Sequence, residues 1–563
     1  MLSGNDKQSI HGQLFWFLVY RHNSPGLIVL HLSLLPSEQK TSGMGGVFCA
    51  KIEKKVDSRR QEEREDWIPF FKGMTEGEGK MKKEDTPPQS SPLKRRGGKK
   101  KDMKIIAHTT EEIRGEVTPP SSKSQTIRGL IFATLAKGTS AIKNPLHSQD
   151  TVDAIRACRA LGANIMVKDD RIVIESDGVP LESDTTLNTG DSGVTTHFLM
   201  PVTGLRGPKG GPITFDCGAQ MKERPVESLV TALQRLGLKV KSQHKNGHCP
   251  LQISGELFGG KATISGKSSQ YLSALLISLP CAKNDSVITV NDLQERPYVE
   301  MTEMWLREQG IVYTHQKKDS RGKIQDSSKT NTTTSAYGHS SSTEEEKENE
   351  ISQDIYTIQG RQSYKPFIKT IPADFSSASY LIAAGALFDG QVVLHGLDMN
   401  DPQGDKALVT ILKEMGADIE IQGNKMTITG GRPLKGMKID ANAIPDMVPT
   451  LAVIAAVAKG KTEILNVANA RLKETDRLHS MTEGLTKMGA KVEETKDSLT
   501  ISGGKLYGVS VHGFNDHRTV MALSLAGMLA SGETFIDTAE AINKTFPDFV
   551  KVMKGLGAKI NMR

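Results

Sequence analysis

The chain has 563 residues, more than one ordinary hydrophobic core can organise, so two or more domains are expected. Its five cysteines are scattered without a CxxC pair, which indicates a reducing compartment and argues against a disulfide framework or a structural zinc site. The net charge of +7 lies entirely in residues 1–104, where 20 Lys and Arg face 13 Asp and Glu; the balanced remainder argues against a nucleic-acid-binding platform.

Residues 1–103 lack the pattern of a folded domain. Two apolar runs, Leu14–Tyr20 and Leu27–Leu35, are far shorter than a membrane span, and the first lacks the flanks of a signal peptide. Residues 72–104 are basic and contain several Pro and Ser, as is typical of a disordered linker. We interpret 1–103 as a disordered or non-native N-terminal extension, with a transit peptide as the alternative.

From about Lys104 one local pattern repeats: an apolar helix ends in a glycine, and a short strand follows. The repeated glycines are spaced by 75, 73, 106, 73 and 68 residues and are Gly162, Gly237, Gly310, Gly416, Gly489 and Gly557. We expect each glycine to end its helix in the left-handed conformation. Six such units predict an α/β protein with two domains of three units each and a ligand between the domains.

The longest interval of the repeat contains a polar segment. Residues 315–355 have almost no apolar side chains, so they cannot offset the entropy that ordering would cost. We expect 315–355 to be a disordered insertion within one unit.

Apolar runs locate several elements inside the units. The predicted helices are Gly129–Ala136, Val226–Leu236, Tyr271–Leu279 and Leu381–Leu387. A strand is predicted over Ile172–Glu175, and either Asp374 or Ser376 is expected to cap the last helix.

Charged and hydroxyl side chains cluster where the units meet. Lys and Arg alternate with carboxylates in Asn469–Arg477, Asn515–Arg518 and Lys544–Asp548. Such clusters suit a small ligand with several negative charges, because Arg grips carboxylate or phosphate at two points and Lys acts as a point charge. Ser122–Ser124 and Ser268–Gln270 precede helices, where hydroxyl and amide groups favour phosphate; each motif alone is as typical of a helix cap.

In their order along the chain, these motifs resemble the 5-enolpyruvylshikimate-3-phosphate (EPSP) synthase family from about Lys104 to Arg563. The motifs that carry the resemblance are Ser122–Ser124 with Arg128, Met221–Pro225, Ser268–Gln270, Ile444–Asp446, Leu472–Arg477, Asn515–Arg518 and Lys544–Asp548. The resemblance implies the enolpyruvyl transferase fold, a two-domain inverse α/β barrel of six βαβαββ units, three per domain. One domain would cover 118–366, and the other would join 104–117 to 367–563.

The resemblance also implies a reaction. Members of the family transfer the enolpyruvyl group of phosphoenolpyruvate to the 5-hydroxyl of shikimate 3-phosphate and release phosphate, towards chorismate and the aromatic amino acids. Such a reaction needs proton transfer and enough positive charge to hold two anions together. The implied proton-transfer set is Lys123, Asp446 and Glu474. No metal or cofactor is implied, and glyphosate would compete with phosphoenolpyruvate.

Two substrate sites follow from the same resemblance. The residues implied for shikimate 3-phosphate are Lys123, Ser124, Arg128, Ser268, Ser269, Tyr298, Asp446, Asn469 and Lys473. The residues implied for phosphoenolpyruvate are Lys123, Gly193, Arg224, Gln270, Arg477, Arg518 and Lys544. In the first set, Ser124 and Arg128 would bind the shikimate carboxylate. The phosphate would be bound by Ser268, Ser269 and Lys473.

The first half of the chain departs from the family pattern. Gln149 stands where the family usually has an acidic residue, and the turn from Asp191 to Val194 differs from the usual Asn-Ala-Gly-Thr, with His197 in place of an Arg. Glu295 stands where a phosphate-contacting Ser is expected, and a carboxylate there would repel a phosphate. Either the loop around Glu295 aligns differently from the family pattern, or the substrate affinity is weaker. In the second half we expect Asp476 to hold its neighbour, Arg477.

Two alternatives stay open. A UDP-N-acetylglucosamine enolpyruvyl transferase would share the fold and the donor but would need a reactive loop cysteine, for which Cys217 and Cys249 are the nearest candidates. A catalytically weak relative that acts as a binding protein is the other alternative. We expect a cytoplasmic monomer with small-molecule substrates and without nucleic-acid or membrane partners, or a plastid protein if the extension is a transit peptide.

Overall fold

The computed structural model describes residues 16–19, 28–31, 103–178, 186–207, 211–243, 247–318, 324–326 and 352–563. The chain divides into two compact units, Met1–Arg96 and Gly97–Arg563. In the first unit, strands β1 (Trp16–Val19) and β2 (Ile28–His31) form an antiparallel pair. These two strands differ from the disorder expected for residues 1–103, and the other interpretation, a non-native extension, stays a prediction. The remainder of residues 1–102 lies outside the described residues.

The described part of the second unit contains thirteen α-helices. They are α1 (Lys123–Leu135), α2 (Gln149–Ala160), α3 (Gly193–Val202), α4 (Ala219–Lys222), α5 (Glu227–Arg235), α6 (Ser269–Ser278), α7 (Arg296–Glu308), α8 (Phe375–Leu387), α9 (Ala407–Met415), α10 (Val448–Val457), α11 (Arg477–Lys487), α12 (His517–Leu529) and α13 (Phe549–Gly555). The four helices predicted from apolar runs are confirmed as α1, α5, α6 and α8. Helices α1 and α8 begin earlier than predicted, because their first turns are polar and are capped by Ser122 and Asp374.

The strands of the second unit form six small sheets in the described residues, five of four strands and one of five. The strands are β3 (Ile105–His108), β4 (Gly115–Val117), β5 (Lys137–Lys143), β6 (Asn164–Val167), β7 (Arg171–Asp177), β8 (Thr186–Asn188), β9 (Ile213–Asp216), β10 (Leu238–Ser242), β11 (Leu251–Gly255), β12 (Gly260–Ser265), β13 (Ser286–Asn291), β14 (Tyr313–Lys318), β15 (Ile324–Asp326), β16 (Gln353–Ile358), β17 (Ile368–Thr370), β18 (Gln391–His395), β19 (Asp418–Gln422), β20 (Lys425–Thr429), β21 (Lys438–Asp440), β22 (Lys461–Leu465), β23 (Lys491–Glu494), β24 (Leu499–Ser502), β25 (Ser510–Val511), β26 (Glu533–Ile536) and β27 (Ile560–Met562). The predicted strand Ile172–Glu175 lies within β7.

The six sheets share one plan, in which a parallel strand pair continues into antiparallel neighbours. The strand orders are β17-β5-β7-β6, β8-β9-β11-β10, β12-β13-β16-β14-β15, β4-β18-β20-β19, β21-β22-β24-β23 and β25-β26-β3-β27. The six repeated glycines end the helices that precede β6, β10, β14, β19, β23 and β27, and all have positive φ, between 71° and 110°. The predicted left-handed glycine caps are therefore confirmed.

Two hydrophobic cores organise the second unit. The first core contains residues from Ile127 to Ile371, and the second combines residues from Ile105 to Ile113 with residues from Ala373 to Ile560. Three sheets contribute to each core. Along the chain, a short segment thus contributes to the second core, the next segment forms the first core, and the remainder completes the second.

The predicted disordered insertion over 315–355 is too wide. Strands β14 and β16 pair across it in antiparallel register, and β15 extends the sheet beyond β14. Composition misses β16 because its buried positions include a charged residue, Asp354, which forms a two-point ion pair with Arg296 at 2.8 and 2.6 Å. Residues 319–323 and 327–351 lie outside the described residues.

Candidate active site

Both cores contribute side chains to one cleft. The lining residues are Lys123, Ser124, Arg128, Gly193, Val194, Phe198, Arg224, Ser269, Gln270, Glu295, Tyr298, Asp446, Lys473, Glu474, Arg477, His517 and Arg518. The cleft collects thirteen of the predicted site residues; Ser268, Asn469 and Lys544 are not in the lining set. Six Lys and Arg side chains face three carboxylates, so the excess charge is positive and suits anionic ligands.

Lys123 projects from the capped start of α1. The Ser122 hydroxyl accepts a hydrogen bond from the backbone N–H of Gln125 at 3.4 Å. Lys123 Nζ donates to Asp150 Oδ2 at 3.0 Å, and both side chains are largely buried. The departure at Gln149 therefore leaves Lys123 with a carboxylate partner, because the next residue along α2 supplies one.

Arg128 lies one turn further along α1 and is buried. Its guanidinium donates to Thr302 Oγ1 at 2.9 Å and to the carbonyls of Ser124 at 3.1 Å and Tyr298 at 2.8 Å. All three acceptors are neutral, and no carboxylate among the described residues forms an ion pair with it. Burial lowers the pKa of Arg128 to about 9. A buried cation with neutral partners is a natural contact for an anionic ligand.

The start of α3 brings backbone close to Arg224. A Cβ atom at Gly193 would lie 2.5 Å from Arg224 Nη1, so a side chain at this position would displace the guanidinium. Gln270 reaches the same place from α6, and its Oε1 accepts a hydrogen bond from His197 Nδ1 at 2.6 Å. Burial lowers the pKa of His197 to about 4, so the ring is neutral at pH 7. The His197 hydrogen bond leaves the amide nitrogen of Gln270 as the donor towards a ligand.

The predicted phosphate subsite is filled by Glu295, which is 2% exposed. One carboxylate oxygen accepts hydrogen bonds from the Ser269 hydroxyl at 2.7 Å and the Ser269 backbone N–H at 3.3 Å. The other accepts from Lys473 Nζ and from Asn469 Nδ2, the latter at 3.4 Å. Ser268 occupies the cap position of α6 without a side-chain capping bond. Three residues expected to bind substrate thus bind a carboxylate of the chain itself.

Asp446 lies in a short 3₁₀ turn, Pro445–Met447, just before α10. Its oxygens accept from Arg477 Nη1 at 2.6 Å and from Arg518 Nη2 at 2.7 Å. Burial opposes ionisation, but Arg518, Lys473 and Arg477 outweigh it and hold the pKa of this carboxyl well below its usual range. Asp446 is therefore an anion at neutral pH.

Tyr298 connects Asp446 to a residue that the sequence analysis missed. The phenolic oxygen lies 3.0 Å from both Asp446 Oδ2 and Asp405 Oδ2. Asp405 is buried and also accepts a hydrogen bond from the Ser376 hydroxyl. Burial, together with the charge of Asp446, raises the pKa of Asp405 to about 6. Asp405 sits in a 3₁₀ turn, Gly404–Lys406, outside every motif, so no sequence signal marks it.

Glu474 lies between two arginines. Its Oε1 is 3.1 Å from Arg224 Nη2, and its Oε2 accepts from Arg477 Nη2 at 2.5 Å. Burial opposes ionisation here too, but Arg224 and Arg477 outweigh it, so the pKa of Glu474 lies well below its usual range. Glu474 is therefore ionised at neutral pH.

Arg477 is held by Asp516 and not by Asp476. Its Nε donates to Asp516 Oδ2 at 2.9 Å, and its side chain is 1% exposed. Asp476 is the N-cap of α11 and accepts from the backbone N–H of His479 at 3.1 Å, while its other oxygen binds Arg471. The prediction that Asp476 holds its neighbour is wrong, because a capping carboxylate turns back over the helix start.

Lys544 and Gln220 are hydrogen-bonded to each other and to the C-terminal motifs. Lys544 Nζ donates to Gln220 Oε1 and to the carbonyl of Asn515, the latter at 3.2 Å. The Gln220 amide donates to the carbonyls of Asn515 at 3.1 Å and Glu474 at 3.3 Å. Gln220, from α4, therefore links the three charged C-terminal segments by hydrogen bonds.

A family model described as EPSP synthase (3-phosphoshikimate 1-carboxyvinyltransferase) matches residues 107–343 and 346–553. The 3-phosphoshikimate 1-carboxyvinyltransferase of Acetivibrio thermocellus is 42% identical over 448 residues, which cover 79% of this chain and 97% of that relative. The chain belongs to the EPSP synthase family. The enzyme of the same name from Ruminiclostridium cellulolyticum is 40% identical over 452 residues, covering 80% of this chain and 98% of that relative.

A solved EPSP synthase structure agrees on the fold. The structure from Acinetobacter baumannii superposes with a TM-score of 0.64 at 24% identity, covering 82% of this chain and 100% of the solved one. At this level of identity the likeness concerns the fold alone. The similarity agrees with the mixed α/β architecture of many small sheets described above.

Among the described residues of this EPSP synthase family member, no cysteine lines the cleft. Cys217 and Cys249 are both buried. Contact with Cys249, together with burial, raises the pKa of the Cys217 thiol far above its usual range. A thiol held in its protonated form is a poor nucleophile. The alternative that needs a reactive cysteine is therefore not supported by these two residues.

One cleft residue and two hydrogen-bond partners of site residues escaped the sequence analysis although they stand beside EPSP synthase motifs. His517 lies within the Asn515–Arg518 motif, is buried, and has a pKa held well below its usual range by burial. Gln220 and Asp150 each directly neighbour a residue or motif that was singled out. These residues could therefore have been identified from their position within or next to a motif.

Proposed function

We propose that this cleft transfers the enolpyruvyl group of phosphoenolpyruvate to the 5-hydroxyl of shikimate 3-phosphate, in the biosynthesis of chorismate and the aromatic amino acids. The observation that carries the proposal is the convergence, in a member of the EPSP synthase family, of six cationic side chains and three carboxylates in one cleft. The cations offset the repulsion between two anionic substrates, and the ionised carboxylates supply proton acceptors.

The donor site is built around Arg224. We assign phosphoenolpyruvate to the space beside Gly193, where the backbone leaves room, with the Gln270 amide as a further donor. Arg477 and Arg518 contribute charge from the opposite core, each already shared with Asp446. The remaining residues assigned to this substrate are Lys123 and Lys544.

The acceptor site lies towards α1 and α7. Arg128 and Ser124 are assigned to the shikimate carboxylate, because Arg128 is a buried cation with neutral partners. Tyr298 and Asp446 face the ring, joined by their hydrogen bond. The phosphate is assigned to Ser268, Ser269 and Lys473, with Asn469 as a contact to a ring hydroxyl.

The chemistry requires a proton to arrive and then leave. Protonation at C3 of phosphoenolpyruvate generates positive charge at C2, the 5-hydroxyl oxygen bonds to C2 and loses its proton, and then a C3 proton and phosphate leave to restore the double bond. Glu474 and Asp446 are ionised and can accept protons, while Lys123 beside Asp150 can donate one. An anionic donor between Arg224 and Arg477 would draw their charge away from Glu474 and raise its pKa, which suits a group that must both take and return a proton.

The six sheets support a finer proposal for the architecture. We assign three sheets to each of two inverse α/β domains, one over 118–366 and one over 104–117 with 367–563, with the six units read as βαβαββ. In the described residues, no helix is both long enough and apolar enough to cross a membrane. A cytoplasmic monomer whose partners are its small-molecule substrates remains our prediction.

A steady-state assay of phosphate release tests the proposed function. The full chain is supplied with phosphoenolpyruvate and one of two acceptors, shikimate 3-phosphate or UDP-N-acetylglucosamine. We expect release with shikimate 3-phosphate and none above background with the sugar nucleotide. Release with the sugar nucleotide alone would assign the other enolpyruvyl transfer, and release with neither would leave a binding protein.

A further inference from the structure

The phosphate-binding donors of the acceptor site are occupied by a side chain of the protein. Glu295 receives two hydrogen bonds from Ser269 and one from Lys473, which are assigned to the phosphate, and a fourth from Asn469, which is assigned to a ring hydroxyl. We propose that Glu295 is a specificity-determining residue, an internal carboxylate that competes with the acceptor's phosphate for these donors and thereby sets the affinity for the phosphorylated acceptor. This inference rests on the proposed function.

The carboxylate and a phosphate cannot use these donors together. The Ser269 hydroxyl and its backbone N–H both point at one carboxylate oxygen, and the Lys473 ammonium contacts the other. Hydrogen bonds to an ionised group are roughly twice as strong as neutral ones, so releasing Glu295 has a cost. Two anions left side by side would also repel each other in a buried site. Binding of the phosphate therefore requires the Glu295 side chain to leave.

The backbone around Glu295 is fixed, so the side chain must move by rotation. Glu295 itself has a φ of 52°, in the left-handed region, just before α7 begins. The next residue, Arg296, is anchored by its two-point ion pair with the fully buried Asp354 carboxylate at 2.8 and 2.6 Å. Tyr298 is held through its carbonyl by Arg128 and through its hydroxyl by Asp446. A movement of the whole first turn of α7 away from the site would break these contacts.

The consequence is selective for phosphorylated ligands. Glu295 contacts residues assigned to the phosphate, whereas the residues assigned to the carboxylate, Ser124 and Arg128, have other partners. Removing the carboxylate should therefore strengthen binding of shikimate 3-phosphate and leave binding of unphosphorylated shikimate nearly unchanged. A residue with a merely structural role would not separate the two ligands.

Calorimetric titration of the full chain with shikimate 3-phosphate and with shikimate tests the inference. We expect Glu295→Ser to lower the dissociation constant for shikimate 3-phosphate about tenfold or more, as fits the loss of one charged competitor. Glu295→Gln, which keeps the side-chain volume, should lower it less, because the charge is removed but the space stays occupied. The control is Glu308→Gln, at the other end of α7, where the carboxylate pairs with Lys369 at the surface and the affinity should not change.

The outcomes separate the inference from the proposed function. Unchanged or weaker binding of shikimate 3-phosphate by both Glu295 variants, with circular dichroism as in the wild type, overturns the inference. Equal tightening for shikimate and shikimate 3-phosphate overturns it as well. Wild-type protein that neither binds shikimate 3-phosphate nor releases phosphate in the assay above overturns the proposed function instead.

Discussion

At the scale of single residues, the site is organised by charge sharing at Arg477. This buried guanidinium binds three carboxylates, those of Asp446, Glu474 and Asp516. Each carboxylate accepts a hydrogen bond from Arg477, which we assign to the donor substrate as well. Binding of the substrate and the protonation state of the carboxylates are therefore linked.

Glu474→Gln tests proton transfer at this cluster. The amide keeps the shape of the side chain but cannot carry a proton, and general acid–base catalysis contributes on the order of a hundredfold to ten-thousandfold. We expect the turnover number to fall by that order while the Michaelis constant for phosphoenolpyruvate does not rise, because Arg224 and Arg477 remain. Steady-state kinetics and deuterium exchange into the product methylene measure both.

The matched control is Asp476→Asn. Asp476 caps α11 and binds Arg471, so its loss should cost some stability but little turnover. Near-normal turnover of Glu474→Gln, with exchange still occurring, would assign the proton transfer to another residue, with Lys123 the first to examine.

His197 predicts a dependence of stability on pH. Burial lowers its pKa to about 4 from the ordinary value of 6.5, so the folded chain binds fewer protons than the unfolded chain between these values. The stabilisation from His197 is complete above about pH 6.5 and is lost as the pH falls towards 4, by at most about 3 kcal/mol. Urea unfolding of His197→Asn should lose less stability across this interval than the wild type does. The control is His147→Gln, at an exposed histidine whose ring lies 3.0 Å from the carbonyl oxygen of Asp169, and it should follow the wild type. Equal slopes for all three chains would contradict the prediction.

At the scale of elements, helix starts place most of the functional groups. Helices α1, α3, α6, α11 and α12 each begin at the cleft, and their first residues include Lys123, Gly193, Gln270, Arg477 and Arg518. Polar first turns leave backbone N–H groups available, and these favour anions. The site is therefore assembled from separate helix starts brought together by the two cores.

Gly193→Ala tests the closeness of one such helix start. The added Cβ would lie 2.5 Å from Arg224 Nη1, so the guanidinium must move away from the donor site. We expect the Michaelis constant for phosphoenolpyruvate to rise by roughly tenfold to a hundredfold, the equivalent of one charged hydrogen bond. Inhibition by glyphosate should weaken as well if it shares this space.

Gly555→Ala, near the end of α13, is the control, since its Cβ would meet no atom within 4 Å. Its kinetic constants should match those of the wild type. A Gly193→Ala chain with unchanged affinity for phosphoenolpyruvate would remove Arg224 from the proposed donor site.

The elements that were predicted correctly from the sequence are those that interactions between neighbouring residues determine. The left-handed glycines and the helices with long apolar runs were predicted because a missing Cβ and apolar periodicity are local signals. Partners brought together by tertiary packing left no such signal. Asp405 and Asp516 were missed as partners of Tyr298 and Arg477 for this reason, and Asp354 was assigned to a disordered segment because its burial depends on Arg296.

At the scale of the whole molecule, deletions within the polar insertion test how much of the chain the site needs. A deletion of 316–354, as composition alone would suggest, removes Asp354 and parts of β14 and β16. It would leave Arg296 without its carboxylate beside Glu295, and we expect loss of stability and of activity.

Deletion of 327–351, closed by a short Gly-Ser linker, keeps all three strands. We expect its kinetic constants to stay within about twofold of the wild type, since the length of a connection changes its closure entropy only slowly. Thermal unfolding and the phosphate-release assay measure both deletions. Loss of activity in a folded 327–351 deletion would give this segment a role in the site.

The most direct test of the account is the fate of the enolpyruvyl carbon atoms. Phosphoenolpyruvate labelled with carbon-13 at C2 is mixed with shikimate 3-phosphate and the full chain, and the reaction is followed by carbon and phosphorus nuclear magnetic resonance. We predict that the label appears in an enol ether at the 5-oxygen of shikimate 3-phosphate, with one phosphate released for each label transferred. Label that stays in phosphoenolpyruvate, or that appears as pyruvate without transfer, would contradict the account.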